Sequence, residues 1–218
     1  RAKSVVVCTG SIEQPAVFRN NDLPRILLGS GAQRLVKHFA VRPGQRIVIL
    51  TSNEDGYGVA LDLADAGIEV AAVVDLRKDV AGLLASTAID RGIRVFLGHT
   101  IREAIPSSDR REISGVLVTQ LIGQGKSEPD GLTIPCDALC VSVGYTPSAS
   151  LLCQAGANLA FDKATATPLL QDLPPHVFAA GSVTATFDID AVIGSGRKVG
   201  WVAATDAGFS HTSEPQPA

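Results

Sequence analysis

The 218-residue sequence is 45% hydrophobic and carries 19 basic against 22 acidic side chains, a formal net charge of -3, which is ample for one large or two small packed units. Its charges are interspersed, so there is no basic stripe or block of the kind that binds nucleic acid or an anionic membrane. No apolar run reaches the roughly 18–20 residues needed to span a bilayer and no signal segment opens the chain, so no membrane association and a cytoplasmic setting are expected.

Residues 4–10, SVVVCTG, read as a buried strand ending at Thr9-Gly10. The chain begins at Arg1, contains no Met and is almost at once in this strand, which reads as a piece of a longer polypeptide. A polar, Pro-containing connector follows, and ILLGSGAQRLVKHFA from Ile26 has helical spacing, closed by the turn RPGQ. The β-branched run RIVILT at 46–51 predicts a strand. A helix is expected from about Asp55 to Ala66, ending at Gly67 as its C-cap, and IEVAAVVD predicts a second strand. A helix over about Val80 to Arg91 and a strand IRVFLG complete a strand-helix alternation typical of a parallel sheet covered by helices.

The texture then changes. EISGVLVTQLIGQGKSEPDGLTIP reads as antiparallel strands around a polar turn near Gly123 to Gly131, followed by an apolar strand from about Ala138 to Val143. The last third holds a Pro-rich loop, a strand VFAAG from Val177 and a helix from about Ile189 to Ala204, and the tail is expected to be disordered. The predicted fold class is α/β: a Rossmann-like parallel sheet with an antiparallel β-meander, inserted in a partial FAD/NAD(P)-type domain. The expected division is residues 1–40 as the end of a first half and connector, 41–143 as the Rossmann-like insert, 144–206 as the return to the first half and 207–218 as the tail.

Several familiar chemistries are unsupported. Cys8, Cys136, Cys140 and Cys153 lack Cys-x-x-Cys spacing and read as small apolar residues, with Cys136 and Cys140 placed on one face of a strand but too far apart to pair. His38, His99, His176 and His211 lack metal-ligand spacing, and Ser30, Ser182 and Ser195 have no nucleophile-elbow context. GSGRKVG from Gly194 lies within a predicted helix and lacks the spacing of a phosphate loop. No residue is assigned a catalytic role.

The chemistry with most support is dinucleotide binding at the first strand-helix turn. In G-x-G-x-x-G the glycines permit a tight turn, close backbone approach to pyrophosphate and packing of helix on strand. Here those positions are Thr51, Asn53 and Gly56, so only the packing glycine is kept. The helix start still offers free N–H groups to an anion, while Glu54 and Asp55 place negative charge there, and Asn53 is the most tolerant substitute if that position needs positive φ. Asp75 lies at the end of the second strand, where an acidic residue meets the adenosine ribose hydroxyls and favours NAD; a solvated strand-end carboxylate is the alternative, and Arg77 keeps NADP open.

VVVCTG, the central βαβ unit, CDALCVSVGYTPS and VFAAGSV stand in the order and spacing of the pyridine nucleotide-disulfide oxidoreductase superfamily, in which an NAD domain is inserted into an FAD domain. More finely, the stretch from Phe18 to Asp75 resembles the alpha subunits of heterotetrameric sarcosine oxidases, including the loss of the glycine fingerprint. The resemblance implies that Thr9, Gly10 and Gly181 line the dinucleotide cleft of the first half and that Gly144 faces the pyridine nucleotide, although a plain turn glycine is as good a reading of Gly144. It further implies NAD on this subunit, FAD and FMN in the assembled complex, and a beta subunit and other subunits as partners. Sarcosine oxidation to glycine, formaldehyde and hydrogen peroxide would then belong to the assembly, the fragment alone being inactive. Ser182 replaces the superfamily's flavin-binding aspartate, and the amino-terminal glycine-rich βαβ unit is absent, which speaks against flavin binding by this stretch alone. Rival readings are a degenerate domain that only joins subunits, and an NAD(P)H-dependent flavin oxidoreductase.

Overall fold

The computed structural model describes residues 2–163 and 165–210. In chain order the elements are β1 (Val5–Val7), β2 (Ser11–Glu13), β3 (Ile26–Leu28), α1 (Gly29–Phe39), β4 (Arg46–Thr51), α2 (Asp55–Asp65), β5 (Glu69–Asp75), α3 (Leu83–Asp90) and β6 (Val95–Leu97). They continue with β7 (His99–Pro106), β8 (Ile113–Gly123), β9 (Lys126–Ser127), β10 (Leu132–Pro135), β11 (Ala138–Ser142), β12 (Tyr145–Pro147), α4 (Ser150–Gln154), β13 (Asn158–Asp162), β14 (Thr167–Asp172), β15 (Val177–Ala179) and α5 (Ile189–Asp206). Two compact units result, Glu13–Gly144 and Arg1–Ile12 with Tyr145–Ala218.

The larger unit is a parallel five-stranded sheet in the order β3-β11-β4-β5-β6. The middle of central β4 is continuously apolar because both faces are covered, and Ile47, Val48, Ile49 and Leu50 are all buried. Ile47, Ile49, Val73, Ala138 and Cys140 face the helices, meeting Ala32 of α1, Tyr57, Val59, Ala60 and Leu63 of α2, and Ala85 and Ala88 of α3. Val48, Leu50, Ala72, Val74, Leu139 and Val141 face the meander, meeting Ile101, Ala104, Val116, Val118 and Ile134. In the meander, β8 pairs antiparallel with β7, β10 and the short β9. The α2 helix ends as expected, with Gly67 at φ +73, a left-handed position that favours glycine.

Ile26–Leu28 is a strand beside β11, not the first turn of a helix, so the segment before residue 40 contributes to this sheet. The third helix starts at Leu83 rather than near residue 80. Cys136 and Cys140 fall on opposite faces of the sheet, Cys140 with the helices and Cys136 with the meander. The alternation breaks at Asp137, which precedes β11 and whose carboxylate accepts the backbone N–H groups of Gln45 and Arg46.

In the smaller unit β1 lies parallel to β15 in a two-stranded sheet, and a core of Val7, Ala149, Leu152, Ala157, Ala179 and Val183 packs beside it. The expectation of a buried first strand holds only for Val7; Val5 and Val6 are 46% and 42% exposed. A two-stranded sheet cannot cover both faces of its strands, which explains the difference. β12 pairs with β2, β13 and β14 form an antiparallel hairpin, and α5 is N-capped by Asp188, whose Oδ1 accepts the Ala191 N–H at 2.9 Å. The GSGRKVG segment lies inside α5. Ser4 and His176 both hydrogen-bond the Asp206 carboxylate at the end of that helix. Of the tail predicted to be disordered, residues 211–218, and with them His211, lie outside the described residues.

Candidate functional site

The strand order places a reversal between β4 and β11. From β4 the chain passes through α2 to β5 on one side, while β11 pairs on the other. In open α/β sheets the crevice outside the carboxyl ends of the strands at such a reversal is where ligands bind. Ser142, Thr51 and Asp75 lie side by side at these ends, since Thr51 is in register with both of the others, and all three are fully buried.

The β4–α2 turn is held by short polar contacts. The Thr51 hydroxyl lies 2.9 Å from the Ser142 carbonyl, to which it can donate, and accepts the Asn53 N–H at 3.2 Å. Ser52 Oγ donates to the Val143 carbonyl at 2.6 Å. Asn53 Oδ1 sits 3.4 Å from the Gly56 N, at the start of α2. Asn53 is not among the residues with positive φ, so the turn is made without the left-handed backbone that an asparagine would have tolerated. A Cβ on Gly56 would stand 2.2 Å from Thr51 Oγ1 and 2.3 Å from Thr51 Cβ, so helix and strand approach here as closely as the packing glycine of a dinucleotide turn allows.

Glu54 does not cap its own helix. Its carboxylate reaches α3, where Oε2 accepts the Ala85 N–H at 3.2 Å, and it packs so closely on Gly82 that a Cβ there would lie 1.9 Å away. Oε1 faces Arg77 Nη2 at 3.4 Å. The negative charge expected to repel a phosphate at α2 is thus partly directed to a neighbouring helix start and a guanidinium, leaving exposed Asp55 as the acidic side chain of the first turn.

Asp75 is not a solvated strand-end carboxylate: it is fully buried. Its Oδ2 accepts Tyr57 OH at 2.9 Å and Arg77 Nη2 at 2.8 Å, and its Oδ1 accepts the Arg77 N–H at 2.9 Å and Nε at 3.1 Å. The Arg77 guanidinium lies 5.9 Å from the centre of the Tyr57 ring. Burial, followed by the bond to Asp75, pushes the Tyr57 phenol well above its ordinary range, and the Asp75 hydrogen bond raises the already high pKa of Arg77. Tyr57 went unnoticed in the sequence, although its place beside the packing glycine on a core-facing helix put it in reach of the next strand's end.

Gly144 follows β11 at φ +140, with open space where a side chain would project, and its carbonyl accepts the Gln14 N–H at 2.9 Å. At the same end of the sheet Glu13 is buried against the start of α1, its Oε2 accepting the Ser30 N–H at 2.9 Å. Glu13 Oε1 and Ser142 Oγ are buried without a partner among the described residues. Thr51, Asn53, Gly56, Asp75 and Gly144 therefore share one unit. Thr9, Gly10 and Gly181 belong to the other, where Thr9 Oγ1 donates to the Ser148 carbonyl at 2.7 Å and a Cβ on Gly10 would lie 3.7 Å from Ser182 Oγ. Gly10 and Gly181 both have positive φ, and the Gly181 N–H donates to Ser195 Oγ at 3.1 Å, so Ser195 braces a turn.

The pyridine nucleotide-disulphide oxidoreductase family model matches residues 1–208. The chain belongs to this family. Within it, 214 residues are 32% identical to sarcosine oxidase subunit alpha of Corynebacterium sp. (strain P-1), a match covering 98% of this chain and 22% of that protein. Sarcosine oxidase subunit alpha of Rhizobium meliloti (strain 1021) is 28% identical over 197 residues, 89% of this chain and 18% of that protein. The chain thus spans about a fifth of the length of these relatives. Among solved structures, L-proline dehydrogenase from P. horikoshii superposes with a TM-score of 0.69 at 18% identity, covering 96% of this chain and 36% of that one, which shows a shared fold. The family match runs through residues of both units. No helix of the described residues is long and apolar enough to cross a membrane.

Proposed function

We propose that this chain is the dinucleotide-fold part of the alpha subunit of a sarcosine oxidase-type complex, holding NAD at the β4–α2 turn and serving as scaffold for the other subunits. The observation that carries the nucleotide reading is the contact of Gly56 with Thr51, which keeps the helix-on-strand approach of a dinucleotide turn although the other two glycines are gone. Resemblance to the two sarcosine oxidase alpha subunits supplies the complex and the substrate.

The residues fit such a cofactor in part. The start of α2 offers backbone donors to a pyrophosphate, Thr51 and Asn53 line the turn, and Gly144 leaves open space after β11. The chemistry of hydride or electron transfer would come from the bound cofactors; this chain's residues would bind and orient. In the smaller unit Gly10 and Gly181 supply left-handed turns suited to close backbone approach, while Ser182 brings no carboxylate for a flavin ribityl chain. Oxidation of sarcosine, the FAD and FMN that support it, the beta subunit contact and a cytoplasmic location are properties of the assembled enzyme in this reading.

One observation favours a second reading, a domain that binds no nucleotide and only joins subunits: the Asp75 carboxylate is fully buried and already has Tyr57 and Arg77 as partners. Calorimetric titration of the full-length protein with NAD separates the two. Saturable binding, with a stabilisation of about 2.7 kcal/mol at 100 times the dissociation constant, supports the cofactor reading. No heat and no thermal shift at millimolar NAD supports the scaffold.

A further inference from the structure

Asp75 occupies the position from which a Rossmann-type site receives the adenosine ribose, yet its carboxylate meets a guanidinium instead of a cleft. We propose that Arg77 is a gate over the ribose position: it holds the Asp75 carboxylate in place of a ribose diol, and a dinucleotide with a free 2′-hydroxyl enters as the guanidinium leaves. This inference rests on the dinucleotide reading given above.

Three features support it. First, the lock is made within three residues at the end of β5, with Arg77 Nε and Nη2 on Asp75 at 3.1 and 2.8 Å, so the arginine side chain can rotate away without moving the sheet. The Arg77 side chain is 33% exposed, which leaves it an outlet to solvent. Second, its departure does not orphan the carboxylate. Asp75 keeps Tyr57 OH at 2.9 Å and the Arg77 backbone N–H at 2.9 Å, and two ribose hydroxyls would replace the two donors of the guanidinium. Glu54 likewise keeps the Ala85 N–H.

Third, the local charge selects the ligand. Arg77 contributes one positive charge against the two negative charges of Asp75 and Glu54, so the cluster is net negative. A 2′-phosphate would meet that surplus, which becomes two carboxylates without their guanidinium once Arg77 has left. A neutral diol meets only acceptors. The carboxylates around Arg77 therefore favour NAD over NADP, while the arginine itself weakens dinucleotide binding.

The test compares full-length wild type with Arg77→Ala and Arg77→Gln by calorimetry, using NAD and NADP as probes. Both variants should bind NAD at least tenfold more tightly than wild type, equivalent to about 1.4 kcal/mol, and NADP should bind more weakly than NAD in all three proteins. Binding of NAD to wild type that weakens in both variants leaves the dinucleotide site standing and overturns the gate, as does a wild-type preference for NADP. If neither wild type nor the variants bind NAD, the dinucleotide reading itself fails and takes the gate with it. Arg77→Gln keeps a hydrogen-bond donor beside Asp75, so it carries the comparison should the alanine variant not fold; melting curves without nucleotide decide which variant is used.

Discussion

Gly56→Ala puts the strand-helix approach to a direct test. The new methyl would stand 2.2 and 2.3 Å from Thr51 Oγ1 and Cβ, more than an ångström inside ordinary contact, and Thr51 lies in a central strand with neighbours on both sides. Relief therefore requires α2 to lift or Thr51 to shift. Overpacking of this kind costs about 1–3 kcal/mol, and losing the Thr51 hydroxyl bond to the Ser142 carbonyl adds about 1 kcal/mol, so a destabilisation of about 3 kcal/mol is expected. Urea denaturation of the variant should show it as a lower midpoint at unchanged slope. The compensating change is Thr51→Gly, which removes both clashing atoms; the double variant should be more stable than the sum of the two single effects by over about 1 kcal/mol. A loss below about 1 kcal/mol for Gly56→Ala, or strict additivity in the double variant, would refute the close approach.

Other expectations concern the buried groups. Burial pushes the Cys136 and Cys140 thiols up to about 12, whereas Cys8 and Cys153 are exposed, so a thiol reagent at about pH 8 should modify Cys8 and Cys153 in the native protein and all four cysteines in denaturant. Fast native modification of Cys136 or Cys140 would contradict the packing of β11. The Tyr57 phenol is raised from its ordinary value of 10.0, chiefly by burial and then by Asp75. Its contribution to stability is therefore fully present below about pH 10 and is lost as pH rises through the folded value. Tyr57→Phe should remove that alkaline component and cost about 1–3 kcal/mol by taking a donor from a buried carboxylate. An unchanged alkaline unfolding profile would show that Tyr57 is not engaged with Asp75.

The central βαβ unit was legible because its signals agree. RIVILT is β-branched and buried on both faces, Gly67 marks the helix end with its positive φ, and the observed β4, α2 and β5 follow the sequence reading almost residue for residue. Short strands were not. The three apolar residues of β3 run directly into amphipathic α1, so their spacing reads as one helix. The β7 strand went unnoticed because Arg102 and Glu103 interrupt its apolar alternation where the register with β8 shifts. At the site, sequence spacing put Asp75 at the right strand end, but only the folded structure shows whom its carboxylate meets. That depends on Arg77 turning back along the strand and on Tyr57 projecting from α2, contacts that no periodicity encodes. Glu54 is a similar case: its charge was evident beside α2, while its bond to the start of α3 arises from helix packing.

A crystal structure of the full-length protein grown with NAD tests most directly whether a dinucleotide lies across the carboxyl ends of β4 and β11. Dinucleotide density is expected over residues 51–56, with the adenosine ribose hydroxyls on Asp75 and the Arg77 guanidinium turned away. An NAD-soaked crystal with that turn bare and Arg77 still seated on Asp75 would contradict it.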